Sequence, residues 1–312
     1  MINLWVDVWD RKEHPRTLSI LRITVALVLL MDLLDIGRNG LVEPLMAAAS
    51  AGGWGGTANA SPALWIHALP VPWGDPAVAI FVVRVVAALG LLLGVGARAN
   101  ALVLALCSAQ VALLVPYADR GIDMLLRNVL WILVFARSDG WLSLRAWWQT
   151  GSLGGDGRPV PAWPRHLVVL QLVVVYFMAG VQKFGFLWTP MGSYTALYTL
   201  LQDEAIARAE WSWLANTPWL QMTQLATLIT LLWEWTAPVV LWVYWGRFRP
   251  ETASRRLRWA VRNNLHLIWL SVGVLFHVGI VVGLQLGIFP WAMLALYVAF
   301  VHPEQWPKVG RN

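Results

Sequence analysis

Tyr176, Gly180 and Lys183 stand four and then three residues apart, a spacing that puts their side chains on one face of a helix. They belong to the run Gln171-Leu-Val-Val-Val-Tyr-Phe-Met-Ala-Gly-Val-Gln-Lys183, most of which is apolar enough for a membrane helix. An ammonium in or just beneath hydrocarbon costs about 2.5–3.5 kcal/mol on insertion scales, so something must offset it. Glu234, deep in a later apolar run, could balance that charge. An amine held in an apolar pocket is also a serviceable proton acceptor near neutral pH, which would make Lys183 a general base. Gly180 would let another helix or a ligand come close to the same face. His277 sits alone on an apolar run, a placement more often found for a hydrogen-bonded core histidine than for a catalyst. No second His or Cys stands at metal-ligand spacing beside it, and neither a phosphate loop nor a serine nucleophile motif is visible.

Arg84, Asp123, Arg127 and Gln171 add to this set of polar groups inside apolar runs. Intramembrane ionisable groups face a bundle interior or cavity and pair with each other, so a structural role and a chemical one stay open for each. Asp123 and Arg127 are four residues apart and are expected to pair along a helix. Arg22, near the start of its run, is expected to snorkel to the nearer surface.

The elements that must position these groups are membrane helices. The chain has 312 residues, 58% of them hydrophobic and 13% charged, with a mean hydropathy of +0.59. Soluble domains carry about 25% charged residues, so this composition indicates an integral membrane protein. Apolar runs of roughly 20 residues without alternation indicate helices rather than a barrel. Their order predicts an all-α, polytopic transmembrane bundle of about eight spans, near 18–36, 76–96, 99–117, 121–137, 164–184, 217–246, 264–286 and 290–302. Residues 1–15 read as an interfacial lead, 16–307 as the transmembrane domain and 308–312 as a tail. No cleavable signal peptide is visible. The long 37–75 loop, rich in Gly, Pro and Trp, could cap a site.

A net charge of +6 does not indicate a nucleic-acid partner, because the basic residues concentrate in loops between apolar runs. Those loops alternate with neutral or acidic ones, which predicts both termini on the cytoplasmic side of a plasma or inner membrane and Lys183 toward the outer face. A single cysteine, Cys107, within an apolar run excludes a disulfide framework. Most of the 22 tryptophans are expected in interfacial belts, where membrane lipid is the partner.

Tyr176-Phe-Met-Ala-Gly-Val-Gln-Lys183, followed by Trp188 and Gly192-Ser-Tyr194, resembles the membrane region of vitamin K-dependent gamma-carboxylase. Phe276-His277, Gly287-Ile-Phe-Pro-Trp-Ala-Met-Leu294 and Pro303-Glu-Gln-Trp-Pro307 resemble further elements of that region. Gly121-Ile-Asp123, Leu125-Leu-Arg127 and Asp139-Gly-Trp-Leu-Ser143 look like the version found in the HTTM proteins, its membrane-domain relatives. The resemblance implies a quinol-dependent, carboxylase-like enzyme with reduced vitamin K or menaquinol as cofactor and no metal. Lys183 would be the base, with His277 and Glu234 beside it in the catalytic group. Tyr176, Gly180, Gln171 and Trp188 would line the cofactor, and Arg84, Asp123 and Arg127 would serve substrate or structural pairing. A protein or peptide substrate on the outer face would be the partner. A non-enzymatic membrane protein that binds a lipid or a partner peptide, in export, maturation or immunity, stands beside that reading. A transporter ranks third, because neither repeats nor broken helix pairs are visible.

Overall fold

Leu, Val and Ala favour helices whose backbone groups bond within the segment, which is what hydrocarbon demands. The computed structural model describes residues 6, 8–47, 52–54, 76–248 and 254–306, and it is mostly helical. Most of the loop expected to act as a cap, and the basic tail, lie outside the described residues. The chain divides into two compact units, one of residues 9–165 and 302–312, the other of residues 1–8 and 166–301.

The first unit is a run of antiparallel neighbours: α1 (Arg16–Arg38), α2 (Pro76–Leu93), α3 (Ala97–Leu114) and α4 (Gly121–Phe135). Each packs on the next in chain order. Gly94 and Gly96, both at positive φ, make the tight α2–α3 turn, and the Asn100 amide donates to the Val95 carbonyl across it at 2.6 Å. Arg22 does not snorkel. It is fully buried and donates to the carbonyls of Leu91 at 2.8 Å and Leu142 at 2.6 Å. A side chain at Gly94 would collide with that guanidinium. Ser19 donates to the Ser138 carbonyl at 2.8 Å, and Ser143 caps a short α5 (Leu144–Thr150) by accepting from the Ala146 amide. The stretch Ser138–Ser143 is thus the seat that α1 is pinned to.

The N-terminal lead is tied down by a two-residue antiparallel pairing of β1 (Lys12–Glu13) with β2 (Val160–Pro161). Beneath it, the buried Glu13 carboxylate takes two hydrogen bonds from the buried Arg165 guanidinium.

The second unit contains most of α6 (Trp163–Val181), then α7 (Ala196–Leu201), α8 (Trp219–Trp235), α9 (Ala237–Gly246), α10 (Arg255–Arg262), α11 (Leu265–Gly283) and α12 (Phe289–Tyr297). The long span expected over 217–246 is two helices bent by 47°. Pro238 explains the break, since it lacks an N–H and its ring would clash with the Glu234 carbonyl in a continuous helix. A broken helix pair is therefore present, contrary to the sequence expectation. Residues 203–210 form a turn that bridges Ala207 to Leu284.

Among the described residues, three helices are long and apolar enough to cross a membrane: α1, α6 and α11. The bent α8–α9 pair brings the number to four if it is counted as one span. The apolar stretches Ala77–Leu93, Ala97–Leu113 and Phe289–Phe300 are shorter.

Breaking a buried ion pair leaves an uncompensated charge and costs about 3–5 kcal/mol. Arg165→Met should therefore lower the thermal unfolding midpoint in detergent markedly, and adding Glu13→Leu should recover much of the loss. A double variant as unstable as the single one would mean that the pair is not what holds the lead.

Candidate functional site

Lys183 stands just past the C-terminal end of α6, where the last turn tightens from four-residue to three-residue spacing, with Lys183 N–H donating to the Gly180 carbonyl at 3.3 Å. Its amine contacts both carboxylate oxygens of Glu234, two residues before the α8–α9 break at Thr236. Gly180 makes this possible. A Cβ there would sit 2.6 Å from Trp235 Cδ1 and 2.9 Å from Glu234 Cβ, so only glycine lets α6 and α8 approach so closely. The face that glycine opens is filled by a helix.

The two halves of the pair differ in access. The Lys183 side chain is 20% exposed and that of Glu234 is 4% exposed, so the amine is the reachable end. On its other side the ammonium lies 4.6 Å from the centroid of the Trp188 ring, within reach of its negative face. Trp188 closes a short 3₁₀ turn, Phe186–Trp188. Phe184 and Phe186 on the same loop are strongly exposed, as is Met191.

A second group adjoins this pair. The Tyr176 hydroxyl is hydrogen-bonded to His277 Nε2 at 2.7 Å and to the Tyr297 hydroxyl at 2.6 Å. All three side chains are buried, and His277 Nδ1 has no hydrogen-bond partner among the described residues. Trp233, the residue before Glu234, packs on Tyr176 with ring centroids 4.6 Å apart. It also stacks on Trp269, and each indole N–H donates to the other residue's backbone carbonyl at 3.0 Å. Gly273 on α11 leaves the space that Trp233 and Tyr297 enter. Glu234 lies within electrostatic range of both phenols. The arrangement can hold one shared proton at an accessible amine and keep a neighbouring imidazole in a fixed orientation.

Of the residues singled out from sequence, Lys183, Glu234, Trp188 and Gly180 come together, and Tyr176 and His277 form the adjoining group. Tyr176 reaches no open face, since its hydroxyl is shared between two buried partners. Gln171 is half-buried one and a half turns earlier on α6. Arg84, Asp123 and Arg127 belong to the first unit, and the pairing expected between the last two is not formed. Asp123 instead closes a capping box with Arg120, at 2.7 and 2.9 Å, while Arg127 takes Asp119 at 2.8 and 3.0 Å. The reason is geometric: Asp123 lies in the first turn of α4 and turns back to the free backbone N–H of Arg120, leaving Arg127 to the loop before it. Among the described residues no group of three or more His, Cys, Asp or Glu is arranged so that it could hold a metal ion.

Sequence reasoning missed Tyr297, Trp233 and Trp269. The available signal was their chemistry, since a phenol or indole inside an apolar helix needs a partner for its polar atom.

A family model described as HTTM domain matches residues 10–250, and the chain belongs to that family. The matched stretch takes in Lys183 and Glu234 and ends before His277. No curated protein and no solved structure matches the chain.

Gly180→Val should push α6 away from α8 and destabilise the protein by about 1–3 kcal/mol. Gly279 on α11, whose Cβ would meet nothing within 4 Å, is the control: Gly279→Ala should leave the unfolding temperature unchanged or raise it. Equal behaviour of the two variants would sink the close-approach account.

Proposed function

We propose that this HTTM-family membrane protein is a quinol-dependent enzyme of the carboxylase type, with Lys183 as the base. In this reading the chain forms about eight spans with both termini cytoplasmic, and the amine lies toward the outer face. The observation that carries it is the unequal Lys183–Glu234 pair, in which a buried carboxylate backs an accessible amine. The pair is neutral as a whole. Moving its shared proton onto Glu234 leaves Lys183 as a free amine without creating net charge, which an apolar surrounding favours. Taking a proton from a substrate hydroxyl then makes the pair cationic, and that charge attracts the negative charge left on the substrate oxygen.

The residues around the amine fit a quinol. Its ring is apolar and aromatic, and Trp188, Phe184 and Phe186 offer aromatic surface on the loop that follows Lys183. When bound, a quinol would supply the oxidisable ring that the carboxylase resemblance implies. The protein's own part is to hold a proton at Lys183, to back it with Glu234, and to orient His277 through Tyr176 and Tyr297. The acceptor substrate would be a protein or peptide on the outer side.

A second reading is favoured by the exposed Phe184, Phe186 and Met191, which suit a contact surface. In it the protein binds a lipid or a partner peptide without chemistry.

The test is epoxide formation by purified protein supplied with reduced menaquinone or vitamin K and oxygen. Wild type should turn over, and Lys183→Ala should lose about 10²–10⁴-fold, the usual contribution of a general base. Glu234→Gln should lose activity too, since it removes the group that takes the resting proton of Lys183. Absence of both turnover and quinone binding in wild type would leave the binding reading in its place.

A further inference from the structure

Two of the buried arginines of the first unit, Arg22 on α1 and Arg84 on α2, are treated very differently. Arg22 donates through both terminal nitrogens to backbone carbonyls at the end of α2 and at Leu142, and only its Nε is buried without a partner. Arg84, in the middle of α2, is 7% exposed, and among the described residues it makes neither a hydrogen bond nor an ion pair. Its Nε is fully enclosed. A guanidinium in this position costs several kcal/mol unless acceptors meet its N–H groups, and a leucine or methionine would fill the same volume without that cost.

The charges that could have answered Arg84 are occupied. Asp32 on α1 and Asp123 on α4 both lie within its electrostatic range. Arg120 takes both, Asp32 at 2.8 Å and Asp123 at 2.7 Å. Asp119 is held by Arg127. Cys107 on α3, a buried thiol, is the remaining near group and only a weak acceptor. The four charged groups of this cluster, Arg84, Arg120, Asp32 and Asp123, sum to zero, so a bound monoanion leaves one net negative charge and a dianion twice that excess, which favours the smaller charge. The Arg120 side chain is 43% exposed and forms the outer edge of the cluster, where an anion could exchange with its carboxylate partners.

We propose that Arg84 is the floor of a binding site for a singly charged oxyanion, a carboxylate or a phosphodiester, which its planar fork grips through two N–H groups and which Arg120 contacts at the edge. The ligand is either a soluble carboxylate or the headgroup of a membrane lipid. The site rests on the first unit alone and does not depend on the quinol reading of Lys183.

Thermal unfolding of the whole, delipidated protein in detergent separates the sources. One arm adds sodium acetate, the other short-chain dihexanoyl phosphatidylglycerol, each against sodium chloride at equal ionic strength. One arm should raise the wild-type midpoint by about 5 °C at saturation. Arg84→Gln should abolish that shift, and Arg84→Lys, which keeps the charge and loses the fork, should need roughly tenfold more ligand. Arg158→Gln, at a solvent-exposed ion pair of the loop before α6, should keep the full shift. No shift in either arm with wild type would overturn the proposal, whether or not the variants fold. So would an undiminished shift in Arg84→Gln, or an Arg84→Met variant more stable than wild type with every added anion, which would make Arg84 a tolerated, merely hydrated residue.

Discussion

An ammonium brought into apolar surroundings needs an anion at contact distance, and the second unit is arranged so that Lys183 has one. Meeting Glu234 requires α6 and α8 to run closer than ordinary side chains allow, and Gly180 supplies that closeness. It also requires Glu234 to be held from behind. Trp233 on one side of it is locked to Trp269, and the α8–α9 break begins two residues beyond. The approach that buries the carboxylate leaves the amine at the loop, against Trp188, where a reactant could reach it.

Charge in an apolar interior is handled in several ways in this chain, and the differences are informative. Arg22 is neutralised by no acid at contact distance; its cost is met by carbonyls that a turn and a loop leave free. Arg165 has a dedicated carboxylate and serves to hold the lead. Arg127 and Arg120 share three aspartates around the start of α4. Against that background Arg84 stands apart, because the same unit contains both kinds of partner and gives it neither.

The aromatic residues act as polar connectors as well as packing. A reciprocal pair of indole-to-carbonyl hydrogen bonds joins α8 to α11, and one tyrosine hydroxyl joins α6 to α11 and α12. Each satisfies a polar atom that hydrocarbon would penalise, and each fixes an orientation as it does so. His277 inherits its position from this set. Membership of the HTTM family covers the elements carrying Lys183 and Glu234, while the imidazole and Tyr297 lie beyond the matched stretch.

Hydropathy and spacing alone determined that the chain is helical and built for a membrane, because long apolar runs without alternation leave the backbone few other options. They predicted Tyr176, Gly180 and Lys183 on one helix face, although Lys183 stands past the end of α6, and they singled out Glu234 as a charge that could answer Lys183, since buried charges must be offset. Tertiary structure decided which partner each group takes. The expected Asp123–Arg127 pair gave way to capping geometry at the start of α4, and Arg22 found carbonyls rather than the surface. Pro238 was in plain view in the sequence, but its consequence depended on whether the helix would bend or be bridged. Tyr297 and Trp269 were hidden for the same reason. A polar aromatic in an apolar run announces that it needs a partner, and only the packing of distant helices says which one it has.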